Sequence, residues 1–130
     1  MTKLAIICVD DDRSVLRTLE EQLERLFGNK YIYEVSETAD EAIELIDELL
    51  SEGFETITVI SDWAMPGMKG DDFMIHLQQY NKGIIKVLLS GQVSEEGLRK
   101  AKDIGKIDHF IQKPWKYEDL RNKLYSSDMN

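Results

Sequence analysis

The stretch LAIICVDDDRS, residues 4–14, decides the fold. Six apolar residues, Leu4 to Val9, run straight into three aspartates, Asp10, Asp11 and Asp12. An apolar run that short reads as a strand buried on both faces, the kind that parallel sheets require. The six-stranded dinucleotide-binding architecture would place a glycine fingerprint directly after such a strand. This chain has DDDRS there, and at 130 residues it is short for that architecture.

Working outward, apolar runs alternate with stretches of helical period. Further strands are expected at YIYEV (31–35), ITVI (57–60), IIKVLL (84–89) and IDHFI (107–111). A first helix is marked by Val15, Leu16, Leu19, Leu23, Leu26 and Phe27, with Gly28 placed to end it. Thr38-Ala-Asp-Glu41 is a capping-box pattern opening a second helix, with Ala42, Ile43, Ile46, Leu49 and Leu50 on one side. Phe73, Met74, Leu77 and Tyr80 mark a third helix. Leu98, Ala101 and Ile104, after a Ser94 N-cap, mark a fourth, and Tyr117, Leu120 and Leu124 a fifth. Five strand–helix units imply a parallel sheet with right-handed crossovers and helices on both faces. Strands 1, 3 and 4 are nearly all apolar, whereas strand 2 carries Glu34 and strand 5 carries Asp108 and His109. Edges 2 and 5 around that centre give the order 2-1-3-4-5, a flavodoxin-like, doubly wound (βα)5 fold.

Composition bounds the function. The 42% apolar content is ordinary for one globular domain, and no repeat or composition break marks a second. Residues 1–125 are read as the domain and the polar SSDMN of 126–130 as a tail, a natural end or a linker to an output domain. The longest aliphatic run is Leu4 to Val9, and no basic segment leads into a long apolar one. The single cysteine, Cys8, excludes an internal disulfide and suits a reducing compartment, so a cytoplasmic location is expected. The net charge of −9 argues against direct nucleic-acid or anionic-membrane binding, which call for clustered Lys and Arg.

Sheets of this order bind ligands at the carboxyl ends of the strands, where the strand order reverses. Asp10 and Asp11 follow strand 1, Asp62 ends strand 3, Ser90 ends strand 4 and Lys113 follows strand 5. Each alone suits an ordinary loop, and Asp12 reads simply as a helix cap. Together they converge on one rim. Carboxylates crowded there repel, and a hard divalent cation relieves them; Mg²⁺ suits one or two carboxylates, several waters and phosphate oxygens. Lys113 adds a second positive charge, placed to hold a phosphoryl oxygen or to pair with Asp62.

With these residues in view, the chain from Lys3 to Tyr125 resembles the CheY-like receiver domains of two-component response regulators. The motifs VDD (9–11), SDWAMPGMKG (61–70), LLSG (88–91) and QKPW (112–115) match in order and spacing. The resemblance implies that Asp62 is the phosphoacceptor, taking a phosphoryl group from a sensor histidine kinase or phosphotransfer protein. It implies Mg²⁺ held by Asp11, Asp62 and the Ala64 carbonyl, with Asp10 acting largely through water. It assigns Ser90 to a phosphoryl oxygen and Lys113 to charge neutralisation, and makes Lys113-Pro114 a cis bond. Ser90 and Phe110 become the switch pair, signalling through helix 4, strand 5 and helix 5 to a downstream effector domain or protein.

Other positions are read more plainly. Gly97 weakens helix 4, since an interior glycine costs about 1 kcal/mol relative to alanine. Ala64 offers an attacking water no side chain, while Gln92 offers an amide. Trp63 covers the site, Trp115 packs on the neighbouring surface, and His76 and His109 face solvent. Two other classes remain. Asp10-x-Asp12 superficially matches the DxD of haloacid-dehalogenase-type phosphohydrolases, but the only acidic pair after Lys113 is Glu118-Asp119, inside a helix. A receiver-like binding module that is never phosphorylated would have no need of the intact acids, hydroxyl and lysine.

Overall fold

The structure is a computed structural model describing residues 3–80 and 83–125. Five strands, β1 (Leu4–Val9), β2 (Ile32–Ser36), β3 (Thr56–Asp62), β4 (Ile84–Ser90) and β5 (His109–Gln112), alternate with five helices. The helices are α1 (Arg13–Phe27), α2 (Ala39–Ser51), α3 (Gly70–Leu77), α4 (Glu95–Asp103) and α5 (Tyr117–Leu120). All pairings are parallel and the order is β2-β1-β3-β4-β5, as the strand compositions predict. The tail 126–130 lies outside the described residues.

Alternation along the central strands builds two cores. Ala5, Ile7, Val9, Ile57, Val59 and Leu88 face α2, α3 and α4, meeting Ile46, Phe73, Met74 and Ala101. Ile6, Cys8, Ile60, Val87 and Leu89 face α1 and α5, meeting Leu19, Leu23, Leu120 and Leu124. Burial pushes the Cys8 thiol well above its usual range, so it is an inert core group. Among the described residues no helix is long and apolar enough to cross a membrane.

The caps follow the local sequence. Asp12 accepts from the Ser14 N–H (2.9 Å), Thr38 from the Glu41 N–H (3.1 Å) and Ser94 from the Gly97 N–H (2.9 Å). Gly28 ends α1 at φ 60°, and its N–H donates to the Glu24 carbonyl.

Several expectations shift. Strand β3 is longer than ITVI, starting at Thr56 and running through Asp62, which ends it as expected. Ile107 and Asp108 precede β5, where the Asp108 carboxylate accepts from the Lys86 N–H. Tyr80 lies beyond α3 and donates its hydroxyl to Asp47 (2.7 Å). Ile104 follows the last turn of α4 and is 55% exposed, so it does not join the core stripe. Helix α5 loosens into a π-helical turn, Arg121–Tyr125, that still buries Leu124. Both histidines are half-buried rather than solvent-facing, and the His76 ring meets Tyr80 edge-on.

Candidate functional site at the carboxyl ends of the strands

Strand β1 delivers Asp10, whose side chain is 1% exposed, at the point where the chain leaves the sheet. One carboxylate oxygen accepts from the Asp12 N–H (2.9 Å), and the other from the Lys113 ammonium (2.8 Å). Asp11 projects to the surface. Asp12 turns away to cap α1, and its bonds from Ser14 hold its carboxyl below the usual range. Asp12 is therefore a cap, as expected.

Strand β3 lies next to β1 and brings Asp62 to the same level. The Lys113 ammonium lies 3.2 Å from its carboxylate. Asp10, Asp11 and Asp62 each offer an oxygen within 4.8 Å of the others. Burial raises the Asp62 pKa; Lys113 pulls it down and Asp10 pushes it up again, leaving it net raised. Burial lowers the Lys113 pKa, but the hydrogen bond and charge of Asp10, joined by Asp62, carry it net above the ordinary lysine value. One ammonium among three acids leaves the cluster short of positive charge. An all-oxygen donor set with that deficit suits a hard cation, so this acidic pocket can hold a metal, as receiver domains do.

Strands β4 and β5 close the other side. Ser90 is buried, and its hydroxyl accepts from the Gln92 N–H (3.2 Å). Its carbonyl accepts from the Lys113 N–H (3.0 Å), which ties the lysine's backbone to the end of β4. The Lys113-Pro114 bond is cis. Ala64 is exposed two residues beyond Asp62. Phe110 is half-buried on β5 and packs against the core on the face of the sheet covered by α2, α3 and α4. Trp115 donates to Gln22 (2.7 Å) and lies on the α1 side.

Gly70, the last residue of the SDWAMPGMKG motif, has a spatial job. A Cβ there would lie 2.6 Å from the Trp63 Cα and 2.7 Å from the Asp62 carbonyl oxygen. Its N–H donates to the Trp63 carbonyl (2.8 Å), closing the loop behind Asp62. Both partners are backbone and cannot move aside cheaply, so Gly70→Ala is expected to destabilise by about 1–3 kcal/mol. Urea unfolding measures it, and an unchanged midpoint would refute this packing.

Lys86 also lies beyond a reading by hydrophobicity. It is buried in β4, with its ammonium on the Gln78 side chain (2.7 Å), and burial lowers its pKa. It belongs to the sheet's support rather than to the rim.

Comparison with known proteins places this geometry. The family model for the response regulator receiver domain matches residues 6–125. Chemotaxis protein CheY-3 of Vibrio cholerae is 27% identical over 120 residues, covering 91% of this chain and 87% of that protein. The signal receiver domain of an HD domain-containing protein from Pseudomonas fluorescens superposes with a TM-score of 0.80 at 26% identity, over 96% of this chain and 93% of that one. A CheY-like receiver domain protein from Methanospirillum hungatei gives 0.79 at 27% identity, over 96% and 92%. With a family model spanning nearly the whole chain, the matching strand order and an acidic pocket at the rim, the chain belongs to the response regulator receiver domain family of two-component signalling.

Proposed function

We propose that this domain accepts a phosphoryl group on Asp62 from a phosphohistidine donor, a sensor histidine kinase or phosphotransfer protein. The observation carrying the proposal is the reach of Lys113: one ammonium contacts both Asp10 (2.8 Å) and Asp62 (3.2 Å) within a three-carboxylate cluster. Asp62 has the position of a nucleophile, at a strand end with its carboxylate oxygen toward the rim. That oxygen bonds to phosphorus as the phosphorus–nitrogen bond of the donor breaks, and the departing imidazole takes up a proton. The product is an acyl phosphate.

Phosphoryl transfer asks for alignment and charge stabilisation more than covalent chemistry. Lys113 neutralises one phosphoryl oxygen, and Ser90 offers its hydroxyl to another. Asp10, pinned by the Asp12 N–H, keeps Lys113 aimed across the site. Asp11, Asp62 and the Ala64 carbonyl are the proposed Mg²⁺ ligands, with Asp10 acting through water. Bound there, Mg²⁺ supplies the positive charge that Lys113 alone does not. Ser90 and Phe110 then act as the switch, turning phosphorylation into a change on the α4–β5–α5 face that a downstream effector domain or protein reads.

Acetyl phosphate with Mg²⁺ tests this directly. The expected result is one added phosphoryl group per chain, labile to acid and base and abolished by EDTA. Equal labelling in EDTA would contradict the metal assignment, and steady turnover of p-nitrophenyl phosphate would favour a phosphohydrolase.

A further inference from the structure

Trp63 is the side chain that the proposed chemistry does not use, although it directly follows the acceptor. Its backbone is clamped between Asp62 and Gly70, whose missing side chain leaves room for the Trp63 Cα. Its ring reaches helix α4. A Cβ on Gly97 would lie 3.0 Å from the indole Cζ2 and 3.3 Å from Cε2, so the ring rests on bare α4 backbone. The glycine thus serves close approach as well as lowering helix propensity. Further along, Ala101 is fully buried, and a Cβ on Gly105 would lie 3.1 Å from the Met74 Cβ.

Packing and a neighbouring cation, rather than a hydrogen bond, hold the ring among the described residues. Its indole N–H is buried and finds no partner among the described residues, although a buried tryptophan usually places that group on an acceptor. The Lys69 ammonium stands 5.3 Å from the ring centroid. The ring lines a groove of about 350 Å³ between α3 and α4, together with Asp71, Ser94, Gly97 and Lys100. In that groove the Asp71 Oδ1 is also buried and without a donor, on a residue only 6% exposed. Lys100 of α4 reaches back to Asp72 (2.9 Å) and Asp71 (3.6 Å) on α3. The indole therefore has room to shift, no hydrogen bond to keep it in place, and an unused acceptor in the same groove.

We propose that Trp63 is a positioning residue coupling the state of Asp62 to helix α4, with its ring sliding on Gly97 when Asp62 is modified. This rests on Asp62 being the phosphoacceptor, and it is a route separate from Ser90 and Phe110. Coupling is reciprocal: whatever Asp62 does to α4 through the ring, α4 returns to ligand affinity at Asp62.

Beryllofluoride with Mg²⁺, a phosphoryl mimic, provides the test in the full chain. Fluorine NMR reads its binding, and amide exchange reads α4. In the unmodified protein the mimic is expected to bind and to change α4 exchange several-fold. In Trp63→Leu, an apolar replacement without the ring, binding persists while the α4 response falls to about a fifth or less. Gly97→Ala, which pushes the ring off its seat, is expected to alter mimic affinity at least 5-fold, the low end of ordinary coupling. An α4 response equal in Trp63→Leu and unmodified protein, or an unchanged affinity in Gly97→Ala, would overturn the coupling. Binding with no α4 response in any form would do the same. Failure of the mimic to bind the unmodified protein would instead overturn the phosphoacceptor reading.

Discussion

Asp62→Asn is expected to abolish covalent labelling by acetyl phosphate and, in EDTA, to raise the melting temperature. The first effect follows from chemistry: the asparagine amide is not a competent nucleophile toward phosphorus, and no second acid occupies the end of β3. The second follows from charge. Asp62 lies within 4.8 Å of oxygens on Asp10 and Asp11 and 3.2 Å from Lys113. At an effective dielectric of about 20, each like pair at that separation costs roughly 3–4 kcal/mol, and the attraction returns roughly 5. Burial adds to this and is the first cause of the raised Asp62 pKa, with Asp10 pushing further against the pull of Lys113, so the charged form is disfavoured. Screening of exposed Asp11 reduces the net repulsion, leaving about 1 kcal/mol, or roughly 3–6 °C. The sign in pH is definite. A carboxyl whose folded pKa is raised binds more protons folded than unfolded, so stability falls as pH rises from the unfolded value through the folded one. Asp62→Asn removes that slope. Thermal melts in EDTA from pH 4 to 8 check it, and a mutant less stable than the parent at neutral pH would contradict the charge argument.

Lys113→Ala is expected to act in the opposite direction on stability and in the same direction on chemistry. Removing the ammonium leaves Asp10, 1% exposed, and Asp62, 9% exposed, without their counter-ion. Breaking a buried pair costs about 3–5 kcal/mol. Lys113 is 23% exposed, so water takes up part of the loss and about 2 kcal/mol is expected. Because its folded pKa is raised, the lysine contributes throughout the range below the ordinary lysine value and ceases to do so only as pH rises through the folded one. The phosphorylation rate is expected to fall about 10²–10³-fold, the usual effect of losing one preorganised charge at a developing anion. Millimolar Mg²⁺ should recover part of the stability and little of the rate. Urea unfolding with and without Mg²⁺, beside labelling kinetics, separates the two; full recovery of both would leave Lys113 no role beyond neutralising the pocket.

What the sequence made legible is what local chemistry determines. Apolar runs without alternation marked β1, β3 and β4 as central, and the polar residues of β2 and β5 marked the edges. Ser, Thr and Asp before helical stripes marked the caps, and the strand ends assembled the acids, Ser90 and Lys113 on one rim. What stayed hidden depends on tertiary contacts that no local pattern announces. Lys86 interrupts an apolar strand, and the Gln78 side chain that accepts from its ammonium, together with the charge of Asp108, offsets its burial. Ile104 keeps the period of α4, but the helix stops at Asp103 and leaves it outside. Gly97 reads in the sequence as a helix weakener and Gly70 as part of a motif, yet both make space for Trp63, one beneath its ring and the other beneath its backbone. A glycine's purpose is written in the residue that approaches it.

Whether Asp62 carries the phosphoryl group can be read from a single labelling experiment. The protein is labelled with acetyl phosphate and Mg²⁺, the acyl phosphate is reduced with borohydride, and the digest is sequenced by mass spectrometry. Reduction releases phosphate and turns the modified aspartate into homoserine. Homoserine is expected at position 62 and nowhere else. Homoserine at position 10 or 11, with Asp62 intact, would contradict the assignment of Asp62.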